Sequence, residues 1–295
     1  MNKIFKVIWS KSKQCYVVVS EMAKNKTGKK KIVVASILAA LAMQVGVVAD
    51  VSADESTLTL GGGKAASGMT NGVSIGYLAE SNSHQSIAIG YQALATSQYA
   101  NPAQPAVAIG AGAKAPGRGG VSLGLDAQSS VRGTAIGSST RATGFGTFAG
   151  GTYAQATNAG DVAIGGASSD QFNDYAVASG GYSVAIGTAA KADGSAGVSI
   201  GYKTNAKTSN SLAIGSESQA TGEGAVAVGR KNTSTGPSSI VLGILSTANA
   251  TSATAVGMQT TATGENSLAV GHKSSASGKN GVAVGTNETT AALGG

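Results

Sequence analysis

From residue 184 onward one phrase returns without a slip: an aliphatic residue, a small residue, a second aliphatic and a glycine. It reads Val184-Ala185-Ile186-Gly187, then Val198-Ser199-Ile200-Gly201, Leu212-Ala213-Ile214-Gly215 and Val226-Ala227-Val228-Gly229, and it continues to Val282-Ala283-Val284-Gly285. The closing glycines stand 14 residues apart, seven steps running. Alternation of aliphatic and small residues has period two, which marks a strand with one dry face. No 14-residue window offers helical spacing, and the many Gly and Thr residues disfavour a helix. A fixed period of this size predicts an all-β solenoid, each repeat one coil stacked on the next.

The second half of the repeat alternates small residues, as in Ala190 and Ala192, Ser218 and Ala220, or Thr260 and Ala262. It predicts a second, shorter strand, since a 14-residue coil accommodates two strands of about five residues and two tight turns. In this reading Val184, Ile186, Val198, Ile200, Leu212, Ile214, Val226 and Val228 form the dry lining, facing the Ala and Ser of the second strand. The small residue between the aliphatics (Ala185, Ser199, Ala213, Ala227) then points to the other face and suits close approach of another chain. Coils this thin bury little apolar area at about 25 cal/mol per Å², so lateral oligomerisation is expected. Parallel stacking at about 4.8 Å per coil gives a rod of roughly 70 Å between Gly76 and Gly285.

Upstream the period is less regular. Val73-Ser74-Ile75-Gly76 and Ile87-Ala88-Ile89-Gly90 are 14 apart, but Val107-Ala108-Ile109-Gly110 comes 20 later, after a segment at 91–106 that holds Tyr99, Pro102 and Pro105. Proline cannot serve a central ladder, so this excess projects as a loop. Thr134-Ala135-Ile136-Gly137 follows its predecessor at 13, and Phe145–Gly150 reads as a degenerate copy at 13 again. From Gly165 to Gly187 the step is 22, with the excess in 166–183. Insertions in solenoids leave from one face and often carry binding, so Asp170, Phe172, Asp174, Tyr175 and Tyr182 are the candidate ligand contacts. The alternative is neutral drift in a tolerant loop. Residues 71–295 are thus the repeat region, and 54–70 a lead-in in which Leu58 and Leu60 form an incomplete first strand or none.

Residues 1–53 are a different kind of sequence. Lys29-Lys30-Lys31 precede an apolar run from Ile32 to Val48, and Val51-Ser52-Ala53 precede Asp54. That is the plan of a secretory signal with a small-residue cleavage site, preceded by an unusually long extension; retention as an anchor is the alternative. Nine of the 21 Lys+Arg and two of the 14 Asp+Glu lie there, leaving 12 of each. The processed chain is therefore neutral, which argues against a nucleic-acid partner. The lone Cys15 leaves with the signal, so stability must come from stacked coils and neighbouring chains.

Candidate chemistry is sparse. His84 and His272 are the only histidines and lie many coils apart, so no chain can bring them to one metal. No column of residues 14 apart combines Ser, His and Asp, and Gly61-Gly62-Gly63-Lys64 lacks the Ser/Thr and helix of a phosphate loop. A non-enzymatic protein without cofactor is expected. Thr208, Thr221, Thr235 and Thr263 fall at several offsets with gaps, against the unbroken ladder of an ice-binding rod.

The phrases Ser183-Val184-Ala185-Ile186-Gly187 and Asn210-Ser211-Leu212-Ala213-Ile214-Gly215, at 14-residue spacing, resemble the head repeats of trimeric autotransporter adhesins of the YadA-like type. The leader, with Met1–Ser10 and Val18–Lys24, is similar to the extended signal region of large autotransporters. The resemblance implies a left-handed parallel β-roll assembled as a homotrimer on a Gram-negative surface. It further implies binding to host cell receptors or to matrix proteins such as collagen, fibronectin or laminin. Such proteins continue into a stalk and a carboxy-terminal barrel anchor, and neither is present in these residues, so attachment at the outer membrane requires an anchor that follows; otherwise the chain is secreted. The competing expectation is a spacer rod with no ligand.

Overall fold

The computed structural model describes residues 5–10, 15–20, 57–65, 71–97, 105–167 and 174–290. The chain forms two compact units, Met1–Ala49 and Asp50–Gly295. In the first, Phe5–Ser10 and Cys15–Ser20 pair antiparallel, Phe5 opposite Ser20 and Ser10 opposite Cys15. The apolar run 32–48 and the cleavage site at 51–54 lie outside the described residues. Among the described residues no helix is long and apolar enough to cross a membrane.

The second unit is a parallel β-solenoid of 14-residue coils. Each coil contributes a strand of three to five residues to one 16-stranded sheet and a two-residue strand to a second sheet of equal size. Stacking is parallel and in register, Val198 on Leu212 on Val226 and Gly201 on Gly215 on Gly229. The stack begins with Leu58–Leu60, which pairs with Val73–Ile75, so the first coil lies inside the expected lead-in.

Which face is inside reverses the expectation from the sequence. Ala185, Ser199, Ala213 and Ala227, the residues between the aliphatics, are wholly buried. Val184, Ile186, Val198, Ile200, Leu212, Ile214, Val226 and Val228 are half-exposed and point away from the coil interior. The reason is thickness. The hydroxyls of Ser74 and Ser81, one on each strand of a coil, are 2.8 Å apart, as are those of Ser122 and Ser129. A space that narrow admits methyl and hydroxymethyl groups, and the lining is accordingly Ala and Ser, with Val241 its largest fully buried side chain. The aliphatics stand in columns on the outer face of the long-strand sheet, covered on their flanks by the same residue of adjacent coils.

Two turns join the strands. The glycine turn opens with the closing glycine, at φ +126 for Gly201 and +119 for Gly215, where only glycine is unstrained. A Cβ on Gly201 would overlap the carbonyl oxygen of Gly215, so the column of glycines is also what lets coils approach at this corner. The degenerate copy falls into line one residue later than read: Phe148–Gly150 pairs with Thr134–Ile136, and Gly151, at φ +113, is the closing glycine.

The glycine turn comes in two forms. Where the third residue after the glycine is Ala, its N–H donates to that glycine's carbonyl, as in Ala79 to Gly76 (3.1 Å) and Ala190 to Gly187 (3.2 Å). From Ser218 onward the residue is polar and its side chain reaches the next coil instead: Ser218 Oγ donates to Gly229 O (2.9 Å), Asn232 Nδ2 to Gly243 O (2.6 Å), Ser246 Oγ to Gly257 O (2.9 Å) and Thr260 Oγ1 to Gly271 O (2.6 Å). Ser218, Asn232 and Ser246 also accept an N–H from the same position one coil on, as Asn232 Oδ1 does from Ser246 (3.0 Å). Five neighbouring strands, Val198–Tyr202 to Thr254–Met258, are five residues long.

Candidate functional site

The glycine turn projects two side chains per coil. The first, directly after the glycine, is Tyr77, Tyr91, Leu125, Tyr202, Ile244 or Met258 in successive or separated coils, all exposed. The second takes a left-handed φ near +55 in most coils, including Gln92, Asp126, Tyr153, Lys203 and Glu217. A left-handed non-glycine residue costs about 1 kcal/mol and is held here by a bond to the preceding coil, as Lys203 N–H to Thr188 O (3.0 Å).

The excess of residues after Gly165 sits inside such a turn. Ala167 N–H still donates to Thr152 O (3.2 Å), and the chain returns at Asp174, whose carbonyl accepts from Ala189 N–H (3.0 Å). Ala176 N–H donates to Gly165 O (3.0 Å), the bond that closes an ordinary turn, now drawn across the whole insertion. Asp174 and Tyr175 thereby take the two projecting slots. Tyr175 packs against Tyr153 with ring centroids 6.2 Å apart, and its hydroxyl accepts from Gln155 Nε2 (3.0 Å). Two coils further along this edge, beyond Thr188 and Ala189, Lys203 lies over the Tyr202 ring at 5.0 Å. A side-chain hydrogen bond with Tyr202 raises the Lys203 pKa above the ordinary lysine value, and Asp174 and Glu217 add a smaller attraction. The Glu217 carboxylate is also 3.7 Å from Lys231 Nζ.

The candidate contacts do not form one group. Tyr182 stands on the opposite, return turn, 74% exposed at φ 54, its N–H donating to Ala159 O (2.8 Å). Asp170 and Phe172 lie outside the described residues. Nor do the two insertions share a face: the earlier one follows Leu94–Ala95 and occupies a return turn, between Thr96, bonded to Ala115 O (3.0 Å), and Ala106, bonded to Ser86 Oγ (3.0 Å). The return turn also carries a pair that the sequence did not single out, Arg132 over the Phe145 ring at 5.5 Å. Its signal is visible only once the 13-residue step is placed in register.

Among the described residues no three His, Cys, Asp or Glu side chains cluster as metal ligands. His84 lies in a return turn and His272 in a glycine turn. The surface offers tyrosine faces, a lysine and carboxylates along one edge, the chemistry of a contact surface.

Two family descriptions match the chain. Residues 1–49 match the extended signal peptide of the type V secretion system. Residues 68–96, 103–127, 178–204, 206–232, 234–260 and 262–287 match the YadA head domain repeat. The autotransporter adhesin EhaG of Escherichia coli O157:H7 is 36% identical over 111 residues, which are 34% of this chain and 7% of that protein.

Proposed function

Because the chain belongs to the YadA head-repeat family of trimeric autotransporter adhesins, we propose that its coil stack is an adhesin head that binds host cells or matrix proteins through the glycine-turn edge. The leader makes it an exported protein with a surface or outer-membrane location. The observation that carries the reading is the cluster of Tyr153, Tyr175 and Tyr202 with Asp174, Lys203 and Glu217 on one edge. Tyrosines with fixed backbones and a few charges are what protein contact surfaces use. The cleavage proposed is after Ala53, four residues beyond the leader match.

The head works as a homotrimer in this reading. Half-exposed Val and Ile columns run the length of the long-strand sheet, and a single chain leaves them in water. Sister chains packed on that face would supply the apolar burial that a lining of Ala and Ser does not.

The test is solid-phase binding of the processed protein to collagen, fibronectin and laminin. At least one should retain it, and replacing both Tyr175 and Tyr202 by Ala should weaken retention about tenfold with sedimentation unchanged. Retention on none of the three, or on intact cells, would leave the spacer reading in its place. Deleting 168–173 should weaken binding and leave assembly intact.

A further inference from the structure

A second feature of the glycine-turn edge lies away from that cluster. Tyr77 and Tyr91 stack with centroids 6.1 Å apart and planes 17° apart, yet both stay more than half exposed. Tyr77 covers one face of Tyr91. The other face looks along the edge to the next coil, which places Ala111 and Gly112 in the two projecting slots. The coil after that places Leu125, 54% exposed, and Asp126.

The result is a notch one coil wide. Its walls are the Tyr91 ring and the Leu125 side chain, and its floor is Ala111 and Gly112. The walls belong to coils two steps apart, so they are separated by about 9.6 Å. The Asp126 carboxylate leans over Gly112, where a Cβ would collide with Oδ1, so the glycine is what lets it lie there. Among the described residues this carboxylate makes no hydrogen bond or ion pair. Gln92, left-handed and exposed, brings an amide to the same rim.

We propose that this notch binds a neutral pyranose of a glycan. A sugar ring stacked on the Tyr91 face fits within the spacing of the two walls. Its axial C–H groups meet the electron-rich face of Tyr91, and adjacent hydroxyls donate to the two oxygens of Asp126. One ring face beside a carboxylate also attracts a cation, which competition with tetramethylammonium separates from a sugar. An acidic sugar would face the carboxylate, and an apolar peptide side chain would leave it unpaired. The site is independent of the tyrosine cluster proposed to contact matrix proteins, so either can fail alone.

Saturation-transfer NMR on the processed protein tests it, with methyl glycosides of galactose, mannose, glucose and N-acetylglucosamine, and of sialic acid. At least one neutral glycoside should receive saturation at its ring C–H protons, and the sialoside none. Tyr91→Ala and Asp126→Ala should weaken the neutral signal at least tenfold. Ala111→Leu, which fills the notch without touching either binding group, should do the same with circular dichroism unchanged, while Gln259→Ala, the rim position of a distant coil, should change nothing. Absence of saturation with every neutral glycoside overturns the proposal. So does a signal that survives both Tyr91→Ala and Ala111→Leu, or one displaced by tetramethylammonium.

Discussion

Asp161 and Ser183 are 22 residues apart in the chain and one coil apart in the fold: Asp161 Oδ1 accepts from both the N–H (3.0 Å) and the hydroxyl (2.8 Å) of Ser183. Oδ2 accepts from Asn158 N–H (2.8 Å), so a fully buried carboxylate is satisfied at both oxygens. The clamp spans the insertion and holds Val162 in register with Val184. Asp161→Ala strands the two buried donors of Ser183 and frees the Asn158 N–H toward water, and should cost about 2–3 kcal/mol. Asp161→Asn keeps the contact to Ser183 but turns an amide toward Asn158 N–H, so it should lose about half as much. Urea denaturation of the processed protein reads both.

Gly215 and Gly222 should respond differently to alanine. At Gly215 φ is +119 and a Cβ would overlap Gly229 O, so strain and overlap together should cost about 3 kcal/mol or more. At Gly222 a Cβ would likewise overlap Gly236 O, but no left-handed backbone is required, and the same slot holds Thr208 and Ala250 in other coils, where the backbone gives way to a side chain. Gly222→Ala should cost about 2 kcal/mol, less than Gly215→Ala by the backbone strain that it does not carry. Equal melting temperatures for the two variants would refute the distinction.

Asn232 sits in the interior ladder with three bonds, to Val228 O (2.7 Å), to Gly243 O (2.6 Å) and from Ser246 N–H (3.0 Å). Asn232→Ala should cost about 2 kcal/mol and expose the Ser246 amide to faster hydrogen exchange. Asn232→Ser should retain most of the protection, since Ser218 and Ser246 fill the same slot. Unchanged exchange at Ser246 in the alanine variant would remove the ladder from the account.

Ile214 stands between Ile200 and Val228 on the outer face of the long-strand sheet. Ile214→Lys should cost a single chain about 1 kcal/mol. It should nevertheless dissociate the assembly, because a charge buried between sister chains has no partner. Sedimentation equilibrium checks it: a trimer mass in the variant would place the interface elsewhere.

The glycine phrase alone made the solenoid and its 14-residue period legible. Which side of the strand is wet was not, because period two is the same whichever face is inside. Val184 and Ala185 change places in the reading once coil thickness is known, and thickness comes from the pairing of two sheets, a distant relationship. The interior ladder was hidden for a similar reason: Ala190 and Ser218 are both small inward residues, and only the geometry of Gly229 shows that one of them donates. At the candidate site, Asp174 and Tyr175 on one edge and Tyr182 on the other look adjacent in sequence because the short strand Val177–Ala178 between them is only two residues long.

Six residues gained between Ile87 and Val107, one lost before Thr134 and eight gained after Gly165 all fall between strands, and the strands on either side stay in register. The reach of the molecule and the chemistry of its edges are therefore separate variables. Duplicating or removing a whole repeat would move the tip outward or inward by one fixed increment, and editing a corner would alter what the tip touches, with neither change obliging the other.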